Sequence, residues 1–286
     1  MSRFFELRRE LIEKLTAAGI ESAGVEADIL ISELAGLDRT ELFLRSDTEV
    51  PAEVERKIRE LGRRRANREP LQYLLGYTWF MNIRLDVSPE VLIPRPETER
   101  LVEWVMEKLP EKGSVLDLGT GSGAIALALA FERSDAAVTG VDISADALAL
   151  ALRNAEKLHL PSVRFLESDL FAALHGESFD LIAANLPYVT DEEHETLEPE
   201  VRIHEPRLAL TAPDAGFALI RRAADAAPKH LNPGGAIIFE LSPAQVPRLA
   251  AQLARSGAFE EIASMPDYTR RERFVTARRK YRGASK

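Results

Sequence analysis

The chain has 286 residues, 45% of them hydrophobic, enough for one large domain or two smaller ones with an ample core. It holds no cysteine, which excludes a disulfide, a thiolate metal site and a thiol nucleophile. A formal net charge of -9 argues against a surface built to neutralise nucleic-acid phosphates, although a local basic patch remains compatible with it. No run of about 18 apolar residues occurs, so no membrane span is expected. The opening Met1-Ser2-Arg3-Phe4-Phe5-Glu6 has an early acid and no apolar signal-peptide core. A cytoplasmic enzyme is the simplest reading.

Taken in chain order, the pattern starts helical. Phe4, Leu7, Leu11 and Leu15 recur at helical spacing, with Gly19 as a stop. Val25, Ile29, Leu30 and Leu34 continue the pattern to Gly36, and a third helix is predicted after Pro51 through Val54, Ile58 and Leu61. No strand alternates with these helices, so residues 1–72 read as a small bundle. Leu71 to Val87 carries Tyr73, Tyr77, Trp79, Phe80 and Ile83 in short aromatic and branched runs, with a turn signal at Gly76. That predicts a β-hairpin at the domain junction, over residues 73–93. Pro89, Pro94 and Pro96 punctuate a loop before a helix from Glu97 to Leu109.

From Ser114 onward, short apolar runs alternate with helical stretches. Strands are predicted at Val115–Leu118, Ala137–Val141, Val163–Leu166, Leu181–Ala184, Ala236–Leu241, Glu260–Ser264 and Phe274–Ala277. Helices are predicted at Ala124–Phe131, Ala145–Leu158, Gly216–Ala227 and Ala244–Ser256. This alternation is the pattern of a doubly wound α/β sheet with helices on both faces, occupying residues 94–286. The last two strands, with Asp267 between them, predict a terminal hairpin.

The first of these strands runs into Gly119-Thr120-Gly121-Ser122-Gly123 and then a helix. Glycines there allow a tight turn and leave no Cβ in the path of a ligand. The free N–H groups of the following helix suit a carboxylate as well as a phosphate. The second strand ends at Asp142, whose carboxylate can accept hydrogen bonds from both hydroxyls of a ribose, with Ser144 as a helix cap. Two adenosine cofactors fit these residues, a nicotinamide dinucleotide and S-adenosylmethionine. The turn reads G-x-G-x-G without the third glycine at the dinucleotide spacing, which leans toward S-adenosylmethionine. Asp169, past the third strand, can accept from an adenine amino group, and Leu170 can cover the ring; a polar turn and a core leucine are the plainer alternative.

The fourth strand ends in Asn185-Leu186-Pro187-Tyr188. The carboxyl ends of strands in an open α/β sheet face the ligand crevice, which puts Asn185 beside the cofactor. The Asn185 side-chain oxygen and the Pro187 carbonyl can each accept one N–H of a planar NH₂ group. Pro187 pushes Leu186 toward an extended backbone, and Tyr188 offers an aromatic wall. An amide nitrogen is a poor nucleophile, and two acceptors on its hydrogens favour a more localised lone pair. Rate then comes from positioning and fixed dipoles, with no charged base required. The five histidines lack zinc-like spacing, so no metal is expected, and Asp191, Glu192, Glu193 and Glu195 read as a solvated loop face.

Together these residues resemble the peptide chain release factor glutamine methyltransferases over most of the chain. The resemblance includes Leu71-Gln72-Tyr73 with Gly76, Val91 to Glu99, the glycine turn, Asp142-Ile143-Ser144 and Asn154-Ala155. It continues through Asn185 to Tyr188, Glu205 to Leu210, and Gly234-Gly235 before the strand ending in Glu240. The stretch Pro94-Arg95-Pro96-Glu97 is its specific part. The resemblance implies a seven-stranded Rossmann-like S-adenosylmethionine methyltransferase domain preceded by a helical recognition domain and a hairpin. It implies S-adenosylmethionine as cofactor and S-adenosylhomocysteine as product. It implies cofactor contacts from Gly119 to Gly123, Asp142, Leu170 and Asn185. The glutamine of a Gly-Gly-Gln loop in a release factor would be held by Asn185 to Tyr188. One position departs: the family pattern is Asn-Pro-Pro-Tyr, and Leu186 stands at its second place, which loosens the loop but keeps both acceptors.

Asn-Leu-Pro-Tyr also looks like the motif of ribosomal RNA adenine dimethyltransferases, which makes an RNA adenine N6-methyltransferase the alternative. Those enzymes have a different glycine turn and carry their extra helical domain after the catalytic one. A further alternative is a weakened homologue kept for cofactor binding. The basic run Arg56-Lys57, Arg59, Arg63-Arg64-Arg65 and Arg68 is either a solvated helix face or a docking surface for an acidic or RNA-bearing partner.

Overall fold

The helical period at the N terminus is realised in α1 (Phe4–Ala17), which buries Phe4, Leu7, Leu11 and Leu15 on one face. α2 (Ala23–Ala35) ends on Gly36 in the left-handed conformation, where the N–H caps the Ser32 carbonyl. α3 (Arg39–Leu44) opens on a reciprocal Asp38–Glu41 capping box, and α4 (Ala52–Ala66) starts directly after Pro51. α1 and α4 approach closely: a Cβ on Gly62 would lie 2.5 Å from Leu11 Cδ1. Leu30, Ile31, Leu42 and Ile58 complete the core of this bundle. The stretch expected to open the hairpin instead begins as a short helix, α5 (Leu71–Leu75), and Gly76 is its left-handed cap. Five residues are too few to show a helical period, and their aromatic content reads equally as strand.

The computed structural model describes residues 2–281. They fall into two compact units. One runs to Tyr77 and takes in Glu198–His204; the other comprises Thr78–Leu197 and resumes at Glu205. The basic run lies in the first unit, and much of its charge is matched internally. Arg56 and Lys57 pair with Glu53, Arg59 with Glu10 and Glu55, and Arg64 with Glu69. Arg65, nearly fully buried, sits between Glu26 at 2.5 Å and Glu200 at 2.7 Å, and Arg68 meets Glu198 and Glu200.

The second unit opens, from Thr78, inside the hairpin of β1 (Tyr77–Phe80) and β2 (Ile83–Asp86), which turns at Met81 and Asn82. Phe80, Ile83 and Leu85 are buried with Leu101, Val102 and Val105 of α6 (Pro96–Lys108). Next come β3 (Ser114–Leu118), α7 (Ala124–Glu132), β4 (Ala137–Asp142), α8 (Ala145–Lys157), β5 (Arg164–Glu167) and β6 (Phe179–Asn185). The acidic stretch after β6 is a one-turn helix, α9 (Asp191–His194), rather than loop, because Thr190 and Glu193 form a capping box. Short pieces α10 (Pro199–His204), α11 (Arg207–Leu210) and α12 (Pro213–Gly216) precede α13 (Ala218–His230) and β7 (Leu231–Glu240). α14 (Val246–Ser256), β8 (Phe259–Pro266) and β9 (Glu272–Arg279) close the chain.

The seven strands order as β5-β4-β3-β6-β7-β9-β8. β5 through β7 are parallel, and β9 pairs antiparallel to both β7 and β8, making the terminal hairpin. One face of the sheet is covered by α6 and α7 with the β1–β2 hairpin, the other by α13 and α14. The chain leaves β3 in one direction for β4 and β5, then crosses back to β6. The carboxyl ends of β3, β4 and β6 therefore open on a crevice at the switch point, where ligands bind in such sheets.

Candidate active site

A cavity of about 420 Å³ occupies that crevice, within the range of about 300–1,000 Å³ usual for small-ligand sites. Gly119, Gly121, Asp142, Asp169, Leu170, Asn185, Leu186 and Pro187 line it, joined by Ile143 and Leu208. The glycine turn is pinned from behind. The Val141 carbonyl accepts from the N–H groups of Gly119 and Thr120, both at 2.9 Å. Gly121 is left-handed, and a Cβ there would meet no protein atom within 4 Å, so the backbone is bare toward the ligand.

Asp142 holds the turn from the other side. One carboxylate oxygen accepts from Gly121 N–H at 2.8 Å and the other from Ser144 N–H at 2.9 Å. Burial pushes its carboxyl above the ordinary aspartate value, against the pull of those N–H groups. Ser144 caps α8 by accepting from Ala147 N–H. Asp169, on the rim, accepts from Arg222 at 2.8 Å, and Leu170 is left-handed beside it with φ 53°. Ile143 and Leu208 are 55% and 63% exposed, an apolar rim suited to the faces of a flat ring.

Asn185 ends β6 with its Nδ2 donating to the Thr98 hydroxyl at 3.1 Å, and that hydroxyl donates to Glu240 Oε2 at 2.8 Å. Leu186 is buried beneath the glycine turn at the floor of the cavity; its Cδ2 would stand 3.1 Å from a Cβ on Gly119. The loop beyond is fastened by Gln245, which donates to the Tyr188 carbonyl at 3.0 Å, and by Val189 N–H to the Leu210 carbonyl. A Cβ on Gly216 would fall 1.9 Å from the Tyr188 oxygen, so that close approach requires glycine.

Some expected site residues do not line the cavity. The Thr120 hydroxyl is committed to Asp117 at 2.6 Å, the Ser122 carbonyl accepts from Asn154, and Gly123 caps α7. Tyr188 packs against the core with its hydroxyl accepting from Arg273 at 3.3 Å, and burial pushes that hydroxyl's pKa up. These four support the turn and loop from behind because their polar atoms are already partnered inside the fold. Conversely, Thr98, Glu240, Glu205 and Asn154 fall in stretches that carry the family resemblance, yet no role at the site was read for them. Glu205 accepts from Ile93 N–H and from Arg95 at 2.5 Å, which holds the Val91–Pro94 stretch against the site. Asn154 ties the Ser122 carbonyl to both backbone groups of Asp86. Among the described residues, no cluster of His, Cys, Asp or Glu is placed to hold a metal, and no helix is long and apolar enough to cross a membrane.

The donor set fits S-adenosylmethionine: bare glycine backbone and a helix N-terminus for its carboxylate, a carboxylate between them for a ribose, and apolar side chains for adenine. With this strand order and crevice, the chain falls in the class of S-adenosylmethionine-dependent methyltransferases. Residues 109–266 match the methyltransferase domain family, and residues 6–76 match the PrmC N-terminal domain. A methyltransferase from Pyrococcus furiosus shares the fold with TM-score 0.52 at 18% identity, covering 68% of this chain and 88% of that one. The T. thermophilus 16S rRNA N2 G1207 methyltransferase, solved with AdoMet and guanosine, does so with TM-score 0.52 at 22% identity, over 71% of this chain and 50% of that one. Sequence relatives are far nearer. The release factor glutamine methyltransferase of Deinococcus radiodurans is 42% identical over 276 residues, 96% of this chain and 98% of that protein. Those of Geobacter sulfurreducens and Escherichia coli are 43% identical, over 85% of each chain, and 38% identical, over 94% of this chain and 96% of that one. The chain belongs to the release factor glutamine methyltransferase family.

Proposed function

We propose that this chain transfers a methyl group from S-adenosylmethionine to the side-chain amide nitrogen of the glutamine in a Gly-Gly-Gln loop of a translation release factor. The observation that carries the reading is Asn185. Its Nδ2 is engaged by Thr98, it lines the cavity, and among the described residues its Oδ1 has no partner. An acceptor fixed there, with the Pro187 carbonyl two residues on, suits a planar NH₂ group with one acceptor for each hydrogen.

When bound, S-adenosylmethionine supplies an electrophilic methyl group on a sulfonium. The bare Gly119 and Gly121 backbone of the turn that leads into α7 would hold its carboxylate, Asp142 its ribose, and Asp169 and Leu170 its adenine. Asn185 and Pro187 would orient the substrate nitrogen and favour its lone pair. Leu170, Leu186 and Leu208 would keep water from the crevice, where fixed dipoles act most strongly. The helical unit, residues 1–72 as expected from the sequence, would recognise the release factor. Substrate and lack of cysteine both fit a cytoplasmic enzyme.

The test is single-turnover methylation of a Gly-Gly-Gln-bearing release factor, with the product mapped by mass spectrometry. Asn185→Ala should slow transfer by about 10²–10³-fold, as for loss of one fixed dipole. Full activity in Asn185→Ala, or methyl groups found only on RNA adenine, would overturn the reading.

A further inference from the structure

Asn185 on β6 and Glu240 on β7 are direct register partners at the carboxyl edge of the sheet, and Thr98 of α6 touches both. A hydroxyl has one proton to give. An ionised Glu240 can only accept, so the Thr98 proton is committed to it, and Thr98 can serve Asn185 only as an acceptor. The end of the Asn185 amide that meets Thr98 must then be its NH₂ group, which leaves the oxygen for the cavity. We propose that Thr98 and Glu240 form a positioning relay that locks the Asn185 amide with its oxygen toward the substrate, so that the site accepts an N–H donor. This rests on the reading of Asn185 as the acceptor for the substrate NH₂. It also explains the family-specific segment Pro94 to Glu99, since α6 starts at Pro96 and its first turn delivers Thr98 to the sheet edge.

The surroundings of Glu240 make the lock sensitive to protons. Glu240 is 2% exposed. Burial pushes its carboxyl up to about 7, and Glu97 on α6 adds to the rise; the Thr98 hydroxyl, the charge of Arg273 and the Tyr188 hydroxyl pull it down. Arg273 is held in place by Asp267 at 3.1 Å. Once protonated, Glu240 becomes a donor to Thr98, and the Thr98 proton is free to meet the Asn185 oxygen. The amide can then turn its NH₂ into the site, offering a donor where an acceptor is needed. Activity should therefore fall on the acid side as Glu240 is protonated.

The experiment compares the full chain as wild type, Thr98→Val, Thr98→Ser, Glu240→Gln and Asn185→Ala. Single-turnover methylation of a release factor is followed from about pH 6 to about pH 9, with melting midpoints as the folding control. Thr98→Val keeps the shape and removes the hydroxyl; its rate should fall about tenfold, in kcat and kcat/KM alike. Thr98→Ser should return to within about threefold of wild type, since it restores the hydroxyl. Glu240→Gln can accept from Thr98 through its amide oxygen at every pH, so its acid limb should vanish. A wild-type rate in Thr98→Val, no rescue by serine, or an unchanged acid limb in Glu240→Gln each overturns the relay. Full activity in Asn185→Ala overturns the underlying reading of Asn185 instead, so the two failures are distinguishable.

Discussion

Truncating Asp142 should separate two roles that one carboxylate performs. Each of its oxygens accepts one backbone N–H, from Gly121 or Ser144, and keeps lone-pair capacity toward the cavity. A ribose diol donating to that anion is worth about 2–4 kcal/mol in all. Asp142→Ala should thus raise the Kd for S-adenosylhomocysteine by about 30- to 700-fold, at about 1.4 kcal/mol per tenfold. The effect on the unliganded fold should be smaller. Two N–H groups lose acceptors, at roughly 1 kcal/mol each, but they border a cavity that water can enter. The variant also removes a carboxyl whose charged form burial disfavours. These effects oppose each other, so the unliganded melting midpoint should move by only a few degrees. Isothermal calorimetry with S-adenosylhomocysteine, beside melts with and without it, makes the comparison. A Kd within about threefold of wild type would refute the reasoning, because a lost charged acceptor is worth more than that.

Three other perturbations probe the support behind the site. Leu186→Pro should leave the methylated atom unchanged, as read by mass spectrometry of the product. Its stability should fall by about 1–3 kcal/mol in denaturant titrations, since a gain of roughly 0.4–1 kcal/mol from a stiffer unfolded chain only partly offsets the lost packing of a buried leucine. Glu205→Ala removes the acceptor from buried Ile93 N–H and leaves Arg95, one-third exposed, without its partner. It should lower unfolding free energy by about 2–3 kcal/mol in urea titrations, and a loss under about 1 kcal/mol would refute the account of the Val91–Pro94 stretch. Asp117 is fully buried, which raises its carboxyl to about 7, with Asp142 adding to the rise against the Thr120 hydroxyl and Ala126 N–H. A folded value above the unfolded one means its contribution is complete below about pH 4 and is lost as pH rises through about 7. Asp117→Asn should flatten the decline of stability across that window; an unchanged slope in denaturant titrations at stepped pH would count against it.

How far the sequence disclosed this site depended on whether a residue's partners lie near it in the chain. The glycine turn, Asp142 and Ser144 were legible because a strand, a turn and a helix cap are local, and Gly121 and Ser144 do bracket Asp142 in space. Asn185 was legible because an apolar run locates a strand and its last residue locates the crevice. The same logic applies to Glu240, which ends the run Ile237-Ile238-Phe239 as Asn185 ends β6. Its place at the end of that strand is read through the resemblance, but its role is not, because its partner Thr98 reaches it only through the fold. The start of β7 was missed for another reason: Pro233, Gly234 and Gly235 look like loop, yet a register shift opposite Phe179 and Leu181 absorbs them, so that Leu231 still pairs with Phe179. Charge partners were the least legible. Arg65 reads in the sequence as part of a basic run, either a solvated helix face or a docking surface, and only the fold brings Glu26 and Glu200 to it from distant parts of the chain. Thr98 shares that property, as its two partners are 87 and 142 residues away. A family-specific motif can therefore be recognised from sequence before its role is known. That role lies in hydrogen bonds that no local pattern encodes, made to strand ends that the sheet's crossover order brings side by side.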